Sequence, residues 1–206
     1  MPALLNLAAA LGTRNEVLID RRLNEAIEDG HEEASGELAL MAVFVTGFPA
    51  GLAAARSWAR ARKGAPSPEP TVRPDYRARG EEGYRGVYGS QADALRQALA
   101  EAHPALPDLV TEVGYGWMMA RPGMAPEERE CCMVSMLIPT GLLSPLYSHL
   151  RGALRLGAAR PRVVQAIEAG LGAMAYPMEP APHYAEDVWR TWDQVTSRSH
   201  GTGEET

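Results

Sequence analysis

The sequence predicts an all-α protein, and three observations carry that reading. No alternating run of Val, Ile and Thr bounded by turn residues occurs. Apolar residues recur at helical spacing almost throughout. Glycines and prolines fall at intervals that suit the ends of ordinary helices.

Taken in order, Met1 to Leu11 is apolar and Ala-rich, but no positive residue precedes it. It runs straight into an amphipathic pattern, so it reads as a first helix and not a signal peptide. Asn15 caps a helix with the stripe Ile19, Leu23, Ala26 and Ile27, closed by Gly30 as a left-handed C-cap. Ser35 is expected to cap the next, Glu37 to Thr46, which is apolar almost all round. A helix apolar on every side is buried on every side, which in a small domain implies cover from another subunit. Gly47-Phe48-Pro49 breaks the path before Leu52 to Arg62.

Four prolines between Lys63 and Asp75 mark a linker. Ser90 begins a helix with the stripe Leu95, Ala98, Leu99 and Ala102, ended by Pro104. Pro107 to Ala120 reads as helix interrupted by Gly114 and Gly116, followed by the turn Arg121-Pro122-Gly123. Pro126, with Glu127 and Glu128 on the positive end of the dipole, opens the helix that reaches Thr140-Gly141. Ser144-Pro145 starts a helix closed by Gly157, and Pro161 starts one ending near Tyr176-Pro177. Pro182 to Val195 forms the last, with Tyr184, Val188, Trp192 and Val195 on one side, before a polar tail from Ser197.

The chain has 206 residues, 46% hydrophobic and 22% charged, which suits a folded globular protein and excludes wholesale disorder. No apolar run reaches the ~18–20 residues that span a bilayer, so no membrane partner is expected. A net charge of −6 argues against nucleic acid as a partner. All but one of the 20 basic residues are arginine, so bound anions would meet guanidinium forks. The stretch Arg56, Arg60, Arg62, Lys63, Arg73, Arg77 and Arg79 reads as a solvated helix end and linker. The only cysteines, Cys131 and Cys132, give no disulfide framework, and a cytoplasmic location follows.

Two stretches look like copies. Ala10-Leu11-Gly12, Arg22-Leu23, Ala26-Ile27, Gly30 and Gly47-Phe48-Pro49 line up with Pro139-Thr140-Gly141, His149-Leu150, Ala153-Leu154, Gly157 and Ala175-Tyr176-Pro177, at an offset of 127 to 129 residues. Such self-similarity is the mark of a duplicated unit. The expected organisation is a first, degenerate helical copy over 1–63, a Pro-rich linker over 64–75, a second copy with its own N-terminal helices over 76–196, and a polar tail over 197–206.

Gly47-Phe48-Pro49 resembles the "YAGFP" helix end of the carboxymuconolactone decarboxylase family. Arg121-Pro122-Gly123-Met124 with Arg129-Glu130 is similar to that family's "RPGL…RE" segment. Ser148-His149-Leu150-Arg151-Gly152-Ala153-Leu154, closed by Gly157-Ala158, resembles "HLRGALNNGA", and Arg79-Gly80 with Val87-Tyr88-Gly89 resembles "RG…vYG". The resemblance covers most of residues 3–60 and 76–178. It implies the helical fold shared with the alkylhydroperoxidase D group, whose members are commonly ring-like oligomers. A two-copy chain would close as a trimer of pseudo-dimers, equivalent to a hexamer of single units. The group hosts lactone decarboxylases and thiol peroxidases, so the fold alone does not choose the chemistry.

Glu130 and His149 are the leading catalytic candidates. They lie on successive helices joined by the turn at Gly141 to Ser144, which lets an antiparallel pair bring them together. A carboxylate beside an imidazole fixes its orientation and tautomer, as a proton shuttle requires. The resemblance puts both on its "RE" and "H" positions. Arg121, Arg151 and Arg155 are candidates to bind a substrate carboxylate. The expected function is therefore decarboxylase-like proton transfer on a small carboxylated or lactone metabolite, without metal or cofactor.

The alternative, a thiol-dependent peroxide reductase, would use Cys131 or Cys132. The peroxidase branch works through C-x-x-C with a histidine four positions beyond the second cysteine, and those places here are Leu142 and Pro145. Adjacent cysteines do not replace the pair: their Cα atoms lie ~3.8 Å apart, below the ~4.4 Å lower end for a relaxed disulfide. They are also poorly placed for a zinc tetrahedron. A third reading is a non-catalytic oligomeric scaffold. In the first copy Arg22 takes the place of His149, and the place of Glu130 falls at about Met1, so that copy carries no such pair.

Overall fold

The computed structural model describes residues 2–66, 74–174 and 183–198. These residues are helical almost throughout, with no strand among them. The elements are α1 (Pro2–Thr13), α2 (Glu16–Glu28), α3 (Glu32–Thr46), α4 (Phe48–Ala61), α5 (Tyr76–Tyr88), α6 (Ala92–Ala102) and the single turn α7 (Leu106–Asp108). A π-helix follows over Leu109–Met119, then α8 (Pro126–Leu137), α9 (Leu143–Arg155), α10 (Arg160–Met174) and α11 (Tyr184–Arg198).

Several boundaries follow the local chemistry read from the sequence. Asn15 accepts the Leu18 N–H at 3.2 Å to cap α2, Asp75 accepts that of Ala78 at 3.0 Å to cap α5, and Pro126 occupies the first turn of α8. Gly30 and Gly157 follow α2 and α9 with φ of 84° and 98°, a region open to glycine at no steric cost. Other boundaries differ. α3 begins at Glu32, five residues before the expected start, so Ser35 lies inside the helix and caps nothing; Glu32 and Glu33 supply the first-turn charge instead. Ser90 sits in a 3₁₀ turn, and α6 starts at Ala92 with no side-chain cap. The polar residues Ser197 and Arg198 still belong to α11. The expected helix end at Tyr176-Pro177, the linker residues 67–73 and the tail from residue 199 lie outside the described residues.

The segment expected as a broken helix is instead one continuous π-helix, with an i→i−5 bond from the Ala120 N–H to the Tyr115 carbonyl at 3.1 Å. Its partner is α5, and the two approach to backbone contact. A Cβ on Gly80 would lie 2.0 Å from the Thr111 carbonyl oxygen, and one on Gly116 would lie 1.8 Å from that of Tyr76. Of the two interruptions seen in the sequence, Gly116 is thus a contact point between two backbones, whereas a Cβ on Gly114 would meet nothing within 4 Å, and neither is a helix end.

α8 runs through the middle of the molecule. Every residue from Arg129 to Leu137 is buried, with α1, α9 and α10 packed around it. One apolar core joins α1, α2, α3, α8, α9, α10 and α11, so residues of the first 63 positions and of the later stretch share it. A second, small core of Tyr84, Val87, Ala92 and Tyr115 lies between α5 and the π-helix. No helix is long and apolar enough to cross a membrane among the described residues.

Candidate active site

Glu130 enters the site from the first half of α8, on a helix committed to the core by Met133, Val134, Met136 and Leu137 around it. His149 comes from α9, which the turn at Gly141 (φ 78°) folds back along α8. The face of α9 spaced by three and four residues decides how close the two come. Ser148, Gly152 and Arg155 form that face. Gly152 has no side chain to hold the helices apart: a Cβ there would lie 3.1 Å from the Glu130 carboxylate and 2.9 Å from Val87 Cγ1. His149 Nδ1 consequently meets Glu130 Oε2 at 2.7 Å.

The Glu130 side chain is fully buried, whereas that of His149 is 16% exposed. The acceptor carboxylate requires the ring proton on Nδ1, which leaves Nε2 for chemistry at the accessible edge. The other carboxylate oxygen, Oε1, is buried and has no hydrogen-bond partner among the described residues.

Two tyrosines absent from the sequence-derived set complete the surroundings. Tyr115, from the π-helix, donates its hydroxyl to that of Tyr88 at 2.9 Å. Tyr88 also lies beside Ser148, the residue preceding His149, whose hydroxyl favours the ionised phenol and so acts against the upward push of burial. Burial pushes both phenols up from their ordinary value of 10.0, and the charge of Glu130 pushes in the same direction. Tyr84 packs against both rings, tilted at 4.7 Å from Tyr88 and edge-on at 5.5 Å from Tyr115 between centroids. The available signal for these residues was the glycine spacing. Gly80 and Gly116 let α5 and the π-helix touch, and that contact turns Tyr88 and Tyr115 towards each other.

The remaining sequence candidates have separate surroundings. Arg121 is held by Glu37 through Nε at 2.9 Å and Nη2 at 3.0 Å, and its guanidinium stacks 5.2 Å from the Trp117 ring. Arg155 donates to the Gly86 carbonyl at 3.3 Å and packs on Gly89, so it fastens α9 to α5. Arg151 lies 5.9 Å from the centroid of Tyr147 and forms no ion pair among the described residues. Cys131 and Cys132 are completely buried. Desolvation raises the Cys131 thiol to about 12 and that of Cys132 well above its ordinary value. Neither is poised as a thiolate nucleophile. No group of three or more His, Cys, Asp and Glu side chains able to hold a metal ion occurs among the described residues.

A cavity of about 420 Å³ lies elsewhere, lined in part by Glu37, Trp58, Trp117 and Arg121. Neither Glu130 nor His149 lines it. Compared with family models, curated proteins and solved structures, the chain matches none.

Proposed function

We propose that the chain is a decarboxylase-like enzyme that protonates a small carboxylated or lactone substrate through His149, with Glu130 as the buried counter-charge. The observation that carries this reading is the 2.7 Å contact between a fully buried carboxylate and a partly accessible imidazole. In the reaction, the bond to the leaving carboxylate breaks and its electron pair enters the substrate as an enolate. Carbon dioxide departs, and the carbon takes the proton from His149 Nε2. Glu130 holds the imidazolium in place and balances its charge. Arg151 is the one of the three candidate arginines that forms no ion pair or backbone hydrogen bond among the described residues, since Arg121 and Arg155 are already engaged, and it is taken as the group that meets the substrate carboxylate.

The resemblance to the carboxymuconolactone decarboxylase family supports the same chemistry, and so does the pattern of helices. α1, α2 and α3 contain 12, 13 and 15 residues, and so do α8, α9 and α10. At a constant offset of 127, Gly30 matches Gly157, and Gly141 (φ 78°) matches the left-handed Arg14 (φ 59°) in place of Gly12, with which the sequence pattern aligned it. We read this as a duplication whose first copy has lost the site: Arg22 stands for His149 and is paired with Glu25 at 2.7 Å. Phe44, Phe48 and Leu52 are 44%, 66% and 41% exposed along α3 and α4. That apolar stripe favours an assembly of several copies, in line with the expected trimer.

The test is turnover of a panel of β-keto acids and unsaturated lactone acids in deuterated water, read as carbon dioxide release and deuterium incorporation. His149→Ala and Glu130→Gln are expected to lower the rate at least 100-fold. Undiminished turnover in His149→Ala overturns the reading. The thiol reading predicts instead that alkylation abolishes activity, which the burial of both cysteines argues against.

A further inference from the structure

We propose that Tyr88 is the hydrogen-bond donor to the substrate's developing enolate oxygen, with Tyr115 as a positioning residue acting through it. The site would then take substrates in which a ketone or lactone carbonyl is conjugated to the carbon that loses carbon dioxide. This inference rests on the proton-transfer reading and deepens it.

The geometry supports it in three ways. Tyr88 is partly exposed, as are Ser148 and His149, while Glu130 and Tyr115 are buried beneath them. Phenol, hydroxyl and imidazole are therefore each partly accessible, while the carboxylate that holds the imidazole is not. Next, the Tyr115 hydroxyl donates to the Tyr88 oxygen at 2.9 Å. A phenol that accepts a hydrogen bond is a stronger donor of its own proton, and the acceptor role of Tyr88 in this pair leaves that proton to be donated elsewhere. Finally, the Tyr88 ring is fixed by tilted and edge contacts to Tyr84 and Tyr115, at 4.7 Å and 5.7 Å between centroids. A donor held before the reaction needs no reorganisation when negative charge appears, which is the property of an oxyanion site.

The electron count closes without any further reagent. Loss of carbon dioxide moves the bonding pair onto the conjugated carbonyl, whose oxygen becomes the anion held by the Tyr88 O–H. The pair then returns to carbon as His149 Nε2 delivers its proton. Tyr88 keeps its own proton throughout, so it stabilises charge and transfers nothing. Burial and the Glu130 charge, which hold both phenols in the neutral form, fit that role.

The probe is para-nitrophenol, whose anion mimics an enolate oxygen and absorbs in the visible, titrated into the full chain near its own midpoint of ionisation. The expected result is saturable binding of the phenolate form. Tyr88→Phe is expected to weaken it at least tenfold, the loss typical of a hydrogen bond to a charged group. Tyr115→Phe should weaken it by a smaller factor and lower the ionised fraction of the bound probe. Each variant removes a single oxygen, and far-UV circular dichroism checks that it folds. The ionisation state of the probe on the unmodified chain needs no variant at all. Binding of the neutral form, absence of saturable binding, or an unchanged affinity in Tyr88→Phe each overturns the inference. The proton-transfer reading fails on a different observation, deuterium delivery that is indifferent to His149.

Discussion

Gly152 and Glu130 are set so that the smallest side chain on the one would press on the carboxylate of the other. A Cβ on Gly152 would stand 3.1 Å from both Cδ and Oε2 of Glu130, the oxygen that holds His149. Helix propensity alone favours alanine over glycine by up to ~1 kcal/mol, so an ordinary helical glycine gains from the change. Here the packing opposes it. Gly152→Ala is expected to destabilise by about 1–3 kcal/mol, read as a lower urea midpoint, and to cut turnover by parting α8 from α9. Gly172→Ala in α10, where a Cβ meets nothing within 4 Å, is the control and should be neutral or stabilising.

The two thiols set a limit on alkaline stability. Cys131 titrates at about 12 in the folded protein against an ordinary 9.0, so between those values the unfolded chain has lost a proton that the folded chain keeps. Stability is whole below pH 9 and falls above it, by about 1.4 kcal/mol per pH unit for each such thiol. Urea midpoints measured at about pH 8 and about pH 10 should show the loss, and Cys131→Ala should flatten it. In the native protein at neutral pH neither thiol should react with iodoacetamide before unfolding.

Glu37 neutralises a cation that has no access to water. It reaches Arg129, which is fully buried, at 3.3 Å, and binds Arg121 as well. Arg129 Nη2 also donates to the carbonyls of Arg121 and Pro122, at 3.0 Å and 3.1 Å, but Nε and Nη1 have no hydrogen-bond partner among the described residues, and Glu37 is the carboxylate that balances the charge. Glu37→Ala should therefore cost about 3–5 kcal/mol, the range for breaking a buried pair on one side only. Thermal unfolding measures it, and Glu37→Gln should recover part of the loss.

Arg14 is the single non-glycine residue with positive φ among those described, at 59°. Arg14→Gly relieves that backbone at the cost of chain entropy, for a net gain of about 0.5–1 kcal/mol. Gly141→Ala, at φ 78°, should lose a comparable amount. Paired denaturant melts of the two variants test the opposite signs.

The all-helical class and most helix ends were legible because they are local: Asn15, Gly30, Pro126 and Gly157 act within one turn of chain. The contact of Glu130 with His149 was legible for a similar reason, since only a short turn separates α8 from α9. What escaped was set by contacts distant in sequence. Gly114 and Gly116 read as breaks in a helix, because a sequence does not reveal that Gly116 faces the backbone of Tyr76. Tyr88, named only within the Val87-Tyr88-Gly89 motif, and Tyr115 do not read as site residues for the same reason: 27 positions separate them, and only the close approach of α5 to the π-helix joins their hydroxyls. Ser35 misled because a good capping residue inside a buried helix looks, locally, like the start of one.

The π-helix makes the site sensitive to the length of one segment and not only to its composition. Deleting a single residue between Leu109 and Met119 would let the coil tighten to the ordinary pitch and swing Tyr115 out of line with Tyr88, although neither phenol had been altered. Descendants of this chain would then retire or retune the site by insertion and deletion, and a comparison scoring only matched letters would overlook the change.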